Sequence, residues 1–230
     1  MTGLRELKKE RTRRAISEAA ITLFLEHGFD RVSVADVAAA AEVSKPTLFS
    51  YFPTKEDLVV HRFADHQEQA AEVVRTRTAG EPALDALLRD FLAGLARRDP
   101  VTGLNDHPAV LAFTGLVYGT PSLAARVGEY VARAEESLAE ALRAAPPGAA
   151  RANGAARAQG SAGAQELAAA LLAAQVTATQ RVLALHNWRR IRDGRTADEL
   201  YAEAVEDATG AFDLLAHGYG PPSGERAAAD

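Results

Sequence analysis

Apolar residues recur at helical intervals through most of this chain, and the breaks fall at residues that start or stop helices. From about Leu7 to His27, residues Ile16, Ala20, Leu23 and Phe24 share one face, and Gly28 follows where a left-handed residue closes a helix. Phe29 is then placed to fold back onto the last turn. Ser33 is positioned to cap the next helix, with Asp36 in its electropositive first turn and Val34, Val37, Ala38 and Ala41 as its apolar stripe. Glu42-Val43-Ser44 joins it to a helix of about seven residues, in whose first turn Pro46 sacrifices no hydrogen bond. Pro53 ends that helix. Thr54 caps a fourth, with Glu56 and Asp57 in its first turn, and this helix is expected to run unbroken to about Ala79.

Longer helices follow near 82–97, 107–118, 121–144, 164–193 and 197–217, punctuated by Asp99-Pro100, Gly119-Thr120-Pro121 and Asp193-Gly194. Thr196 with Glu199 forms a capping box for the last. Residues 144–164 are rich in Ala and Gly, contain Pro146-Pro147 and lack any large apolar anchor, which predicts a long mobile loop. The tail beyond Gly218 is expected to be loose. No internal repeat is visible. The pattern predicts an all-α fold of about nine helices.

Composition narrows the chemistry. The 230 residues are 47% apolar and 25% charged, which suits a globular chain with a substantial core. The absence of cysteine excludes disulfide frameworks, thiolate zinc sites and cysteine nucleophiles. With a charged rather than apolar N-terminus and no uninterrupted apolar run of membrane-spanning length, the chain reads as cytoplasmic, without a membrane partner. The net charge of -5 rules out a diffuse positive field, so any polyanion must be held locally. Such a place exists: residues 1–14 carry six basic and two acidic side chains, against 16 basic and 22 acidic over 63–230. A basic front end on an acidic body suggests a head that faces nucleic acid. Arg11, Arg13 and Arg14 are candidates for minor-groove contact by an N-terminal arm, beside the plainer reading of a solvated extension.

The second and third helices and their three-residue link have the dimensions of a helix-turn-helix, whose second helix enters the major groove of DNA. Leu48 and Phe52 would pack inward against Val34, Val37 and Phe24, leaving Lys45, Pro46, Thr47, Phe49, Ser50 and Tyr51 toward the duplex. Lys45 can donate to a guanine edge or a phosphate, while Pro46 and Phe49 offer apolar contact to a thymine methyl. Ser33, Ser44, Thr47, Tyr51 and Lys55 carry hydroxyl, phenol and ammonium groups suited to phosphate oxygens.

These residues make residues 11–60 similar to the N-terminal DNA-binding domain of the TetR family of bacterial regulators. The resemblance rests on the apolar helix Ile16–Phe29 ending in His-Gly-Phe, on Val32-Ser33-Val34-Ala35-Asp36-Val37-Ala38, on Val43-Ser44-Lys45, and on the run Thr47 to Leu58. It departs from many members at Pro46, where glycine is common, and at Phe49, where tyrosine is common. The resemblance implies a helix-turn-helix domain over 1–54 and a helical effector-binding and dimerisation domain over 55–220. It also implies a fourth helix acting as lever, and pairing of two chains through helices 164–193 and 197–217. The partners it implies are a palindromic double-stranded operator, a second copy and a small-molecule effector, with no cofactor.

The body is less legible. Gln175, Thr179 and His186 or Asn187 recur at helical spacing within an apolar helix, and would line an effector pocket or bond across a dimer seam. Phe113, Thr114, Tyr118 and Trp188 are pocket-wall candidates, with ordinary core packing as the alternative. His61 and His66 are spaced to point to different faces, so no metal site is expected. No nucleophile elbow, phosphate-binding loop or di-metal pattern suggests an enzyme. A ligand-independent architectural DNA-binding protein remains the competing reading.

Overall fold

A computed structural model of the chain describes residues 2–144 and 162–218. The fold is all-α. The helices are α1 (Thr2–His27), α2 (Val34–Ala40), α3 (Lys45–Tyr51), α4 (Asp57–Val60), α5 (Gln69–Thr76), α6 (Ala83–Ala96), α7 (Pro108–Gly119), α8 (Pro121–Ala144), α9 (Ala162–Arg192) and α10 (Ala197–His217). Short 3₁₀ turns cover His61–His66 and Pro100–Thr102. The loop expected over 144–164 lies outside the described residues apart from 144 and 162–164, which are helical, and the tail beyond Gly218 lies outside them altogether.

The chain forms two compact units. The first combines residues up to 67 with 107–132, and the second combines 68–106 with 133 onward, so the boundary falls inside α8. In packing, 55–67 and 107–132 group with the helix-turn-helix residues. In the first unit, Ile16, Phe24, Phe29, Val37, Leu48, Phe52, Leu58, Val117 and Leu123 form one buried cluster. Full burial of side chains such as Leu48 and Phe52 stabilises by about 2–3 kcal/mol each. In the second unit, Leu84, Leu87, Leu138, Ala173, Val176 and Phe212 form another.

The helix expected over 54–79 is instead broken into α4, a 3₁₀ turn and α5. Asp57, Leu58, Val59 and Val60, which form α4, are all buried, and the α-helix gives way to the 3₁₀ turn directly after them at His61. The Ser17 hydroxyl donates to the Leu58 carbonyl at 2.9 Å, tying this stretch to α1. A single rigid lever helix is therefore absent from this stretch.

Within the second unit α9 packs against α10 and against the 3₁₀ turn at 100–102. By length and composition alone α9 could cross a membrane. In the fold it buries Ala173, Val176, Leu183, Trp188 and Ile191, while Leu167, Leu171 and Val182 stay exposed. The Asn187 amide donates to the Thr102 carbonyl at 3.0 Å, fixing that turn on the helix.

Candidate nucleic-acid interface

Local capping places the interface. The Ser33 hydroxyl accepts the Asp36 N–H at 3.2 Å and the Asp36 carboxylate accepts the Ser33 N–H at 2.8 Å, a reciprocal box that starts α2. Ser33 also donates its hydroxyl to Asp36 at 2.7 Å. The Ser33 hydroxyl and N–H, with Lys45 nearby, hold the Asp36 carboxyl below the usual carboxylate range. Ser44 accepts the Thr47 N–H at 3.2 Å to start α3, with Pro46 in the first turn. The link between the two helices turns through Glu42 in the left-handed region at φ +54°.

Those caps fix the rotation of α3. Leu48 and Phe52 are fully buried, against the α1 and α2 residues expected from the sequence. Lys45, Pro46, Thr47, Phe49 and Ser50 are exposed, Phe49 at 47% despite its aromatic ring. The Lys45 side chain makes no hydrogen bond or ion pair among the described residues. The Ser44 and Thr47 hydroxyls bond one another at 2.7 Å, and Ser50 donates to the Thr47 carbonyl at 2.6 Å. Tyr51 is half-buried and lies against the core cluster.

Two cations differ from their sequence placement. Lys55 turns inward: its ammonium donates to the Phe29 carbonyl at 2.5 Å and lies 4.3 Å from the Phe29 ring centroid, which packs 4.9 Å from Phe24. Lys55→Ala is therefore expected to lower the stability of the first unit by about 1–2 kcal/mol, through removal of the carbonyl bond and the cation–π interaction. Urea denaturation measures this, and an unchanged midpoint would place the ammonium in solvent. The second cation is Arg13, whose guanidinium lies 5.5 Å from the Phe52 ring centroid. Residues 2–14 continue α1 as helix, so Arg11, Arg13 and Arg14 stand on that helix rather than on an extended segment.

The exit of α3 is secured by an interaction that sequence reading missed. The Thr54 N–H and hydroxyl donate to Asp57 at 3.1 and 2.8 Å, and the Arg126 Nε donates to the same carboxylate at 2.9 Å. Burial pushes the Asp57 carboxyl up, but the Arg126 and Thr54 hydrogen bonds outweigh it and hold the group below the usual range. The partners lie 69 residues apart, so no local signal announced the pair.

The body candidates divide between the units. Phe113, Thr114 and Tyr118 lie on α7 in the first, with Phe113 stacked on Phe63 at 6.3 Å and under Arg62. Gln175, Thr179, Asn187 and Trp188 lie on α9 in the second. Gln175 is exposed and Thr179 half-buried, whereas the Asn187 amide is committed to Thr102. Trp188 is buried with no acceptor for its indole N–H among the described residues, and Arg192 lies over its ring at 5.0 Å. His186 sits 3.7 Å from Asp207. Among the described residues no group of His, Asp and Glu side chains is arranged to hold a metal.

Comparison with known proteins places this geometry. The family model for bacterial regulatory proteins of the tetR family matches residues 16–61, which span the end of α1 through α4. The transcriptional regulator TcmR of Streptomyces glaucescens is 36% identical over 58% of this chain and 58% of its own length. The chain thus spans little more than half of that relative. The transcriptional repressor LfrR of Mycolicibacterium smegmatis is 32% identical over 62% of this chain and 73% of its own. Among solved structures, NalD of Pseudomonas aeruginosa, the secondary repressor of the MexAB-OprM efflux pump, superposes with a TM-score of 0.54 at 20% identity. That superposition covers 93% of this chain and 100% of NalD. The capped pair α2 and α3, the matched segment and the extent of the likeness to LfrR together mean that this chain belongs to the tetR family of bacterial regulatory proteins.

Proposed function

We propose that the chain is a homodimeric one-component transcriptional regulator, most simply a repressor, that reads a palindromic operator through α3 and is released by a small-molecule effector. Residues 1–54 carry DNA binding and residues 55–220 carry effector binding and dimerisation, in the cytoplasm. The observation behind this reading is the outer face of α3. Lys45, Pro46, Thr47, Phe49 and Ser50 stand exposed on a short helix whose opposite face is fully buried, so its orientation is rigid. A lysine without a hydrogen-bonding partner beside an exposed aromatic ring is poorly explained by solubility and well suited to base edges and thymine methyls. Ser33, Ser44, Tyr51 and Lys55 flank that face and supply phosphate contacts, Lys55 through the N–H groups that Phe29 does not occupy.

Dimerisation is supported by the exposed Leu167, Leu171 and Val182 on α9 and Leu214 on α10, apolar side chains that a second copy would cover. Gln175 lies on the same stripe of α9. Two heads held roughly 34–36 Å apart would then meet successive major grooves. An effector that binds a splayed arrangement more tightly lowers operator affinity by its differential free energy, typically about 1–3 kcal/mol. The candidate effector-binding residues are Phe113, Thr114 and Tyr118 on α7 in the first unit and, separately, Gln175, Thr179, Asn187 and Trp188 on α9 in the second.

Selection of binding sites from random duplex DNA, followed by anisotropy across a salt series, tests the reading. A palindromic sequence bound by a dimer with a steep salt slope is expected. No enrichment, even with protein refolded free of any co-purified ligand, would sink it. Lys45→Ala and Thr47→Ala are expected to relax base preference by about 1–3 kcal/mol at the positions they touch. Variants that weaken all sequences equally would move these residues to the phosphate set.

A further inference from the structure

The basic N-terminal segment acquires a definite shape from the fold. Because α1 begins at Thr2, Lys8 and Arg11 lie one turn apart on a rigid helix, with Thr12 and Ala15 completing the face. That face and the turn residues Ala41, Glu42 and Val43 enclose an open groove of about 650 Å³. The turn leads directly into Ser44 and Lys45 at the start of the recognition helix. The side chains of Lys8 and Arg11 are exposed and, like that of Lys45, form no hydrogen bond or ion pair among the described residues. In a chain whose net charge is -5, uncompensated cations beside the recognition helix mark a place for a polyanion.

We infer that this groove binds the sugar-phosphate strand flanking the major groove read by α3, with Lys8 and Arg11 on its phosphates and Leu7 and Ala15 against the sugars. The inference rests on the proposed DNA-binding function and extends its footprint beyond the helix-turn-helix. It replaces the minor-groove arm of the sequence reading, because a helix ending in this groove lays its cations along the backbone. Glu42 is the only acidic side chain among the described residues that line the groove, and its repulsion biases a phosphate toward the Lys8 and Arg11 wall. Phosphate contacts of this kind add affinity without adding sequence information.

The test compares full-length wild type with Lys8→Gln/Arg11→Gln, which keeps a long polar side chain and helix propensity at both positions, and with Lys45→Ala. Each is titrated onto the selected operator and onto a random duplex across a salt series. Circular dichroism checks that the fold is retained. For the double variant the salt slope is expected to fall by about 1.8 per protomer, or about 0.9 for each phosphate no longer neutralised, on both duplexes alike. Its selected sequence should be unchanged. Trimming the base pairs outside the α3 half-sites should lower the wild-type slope and leave the double variant's slope where it was. A double variant that keeps the wild-type slope, or that selects a different sequence, overturns the groove assignment. If wild type binds the operator and Lys45→Ala alters its preference, such a result leaves the helix-turn-helix reading standing. If wild type binds no duplex, both readings fall.

Discussion

Gly103→Ala is expected to destabilise the second unit by more than about 4 kcal/mol, enough to abolish its cooperative melting near room temperature. Gly103 closes the 3₁₀ turn at Pro100–Thr102 with φ +69°, a conformation that L side chains rarely adopt. A Cβ on it would stand 1.8 Å from the Ala184 carbonyl oxygen and 2.6 Å from its carbon. Both are backbone atoms of α9, so no rotamer change relieves the clash. The turn must lift off the helix, taking the Thr102 carbonyl away from the buried Asn187 amide and leaving that amide unsatisfied. Trp188, adjacent to Asn187 and the only tryptophan, gives the readout: its emission should shift to the red in the variant. Gly128→Ala is the control, since Gly128 lies within α8 with nothing within 4 Å of its would-be Cβ. It should be stabilising by up to about 1 kcal/mol. A Gly103→Ala protein that melts with the wild type would refute the close approach.

Asp57→Asn is expected to lower the stability of the first unit by about 3 kcal/mol at neutral pH, because it leaves Arg126 without its carboxylate. The Asp57 side chain is 6% exposed and that of Arg126 25%, so the pair is shielded but not dry, which argues for the lower end of the range for broken buried pairs. Arg126 also reaches Glu129, which softens the loss further. The dependence on acid has a definite sign. The folded-state pKa of Asp57 lies below the unfolded value of about 3.9, so its contribution is complete above that pH and disappears as pH falls through the folded value. The gap between wild type and Asp57→Asn should therefore be constant from neutrality to about pH 5 and close in stronger acid. A gap that stays the same size from neutrality into acid well below the folded pKa would show that the charge is not what matters. The double variant Asp57→Leu/Arg126→Met should recover the part of the loss that comes from stranding Arg126, but not the part that comes from removing the acceptor of the Thr54 N–H and hydroxyl.

Both predictions turn on partners remote in sequence, and the same distinction separates what was legible in the chain from what was not. The caps at Ser33, Ser44 and Thr196, the hydrogen-bonded turn from Thr54 to Asp57, the left-handed Gly28, the burial of Leu48 and Phe52 and the exposure of Lys45 to Ser50 on the outer face of α3 were all readable. Each arises from residues within a turn or two of one another, through hydrogen bonds of three- or four-residue span and the 3.6-residue period. The helix-turn-helix could therefore be identified from adjacent residues alone. Tertiary structure decided the rest. It broke the helix expected over 54–79 and brought Ser17 to Leu58 from 41 residues away. It turned Lys55 from the outer face to Phe29, paired Asp57 with Arg126, and committed Asn187 to a carbonyl 85 residues distant. A side chain's nearest competitors for hydrogen bonds and space are set locally only where the chain stays exposed or helical. Where segments from opposite ends of the sequence close around a core, the partner is fixed by packing that no local pattern encodes.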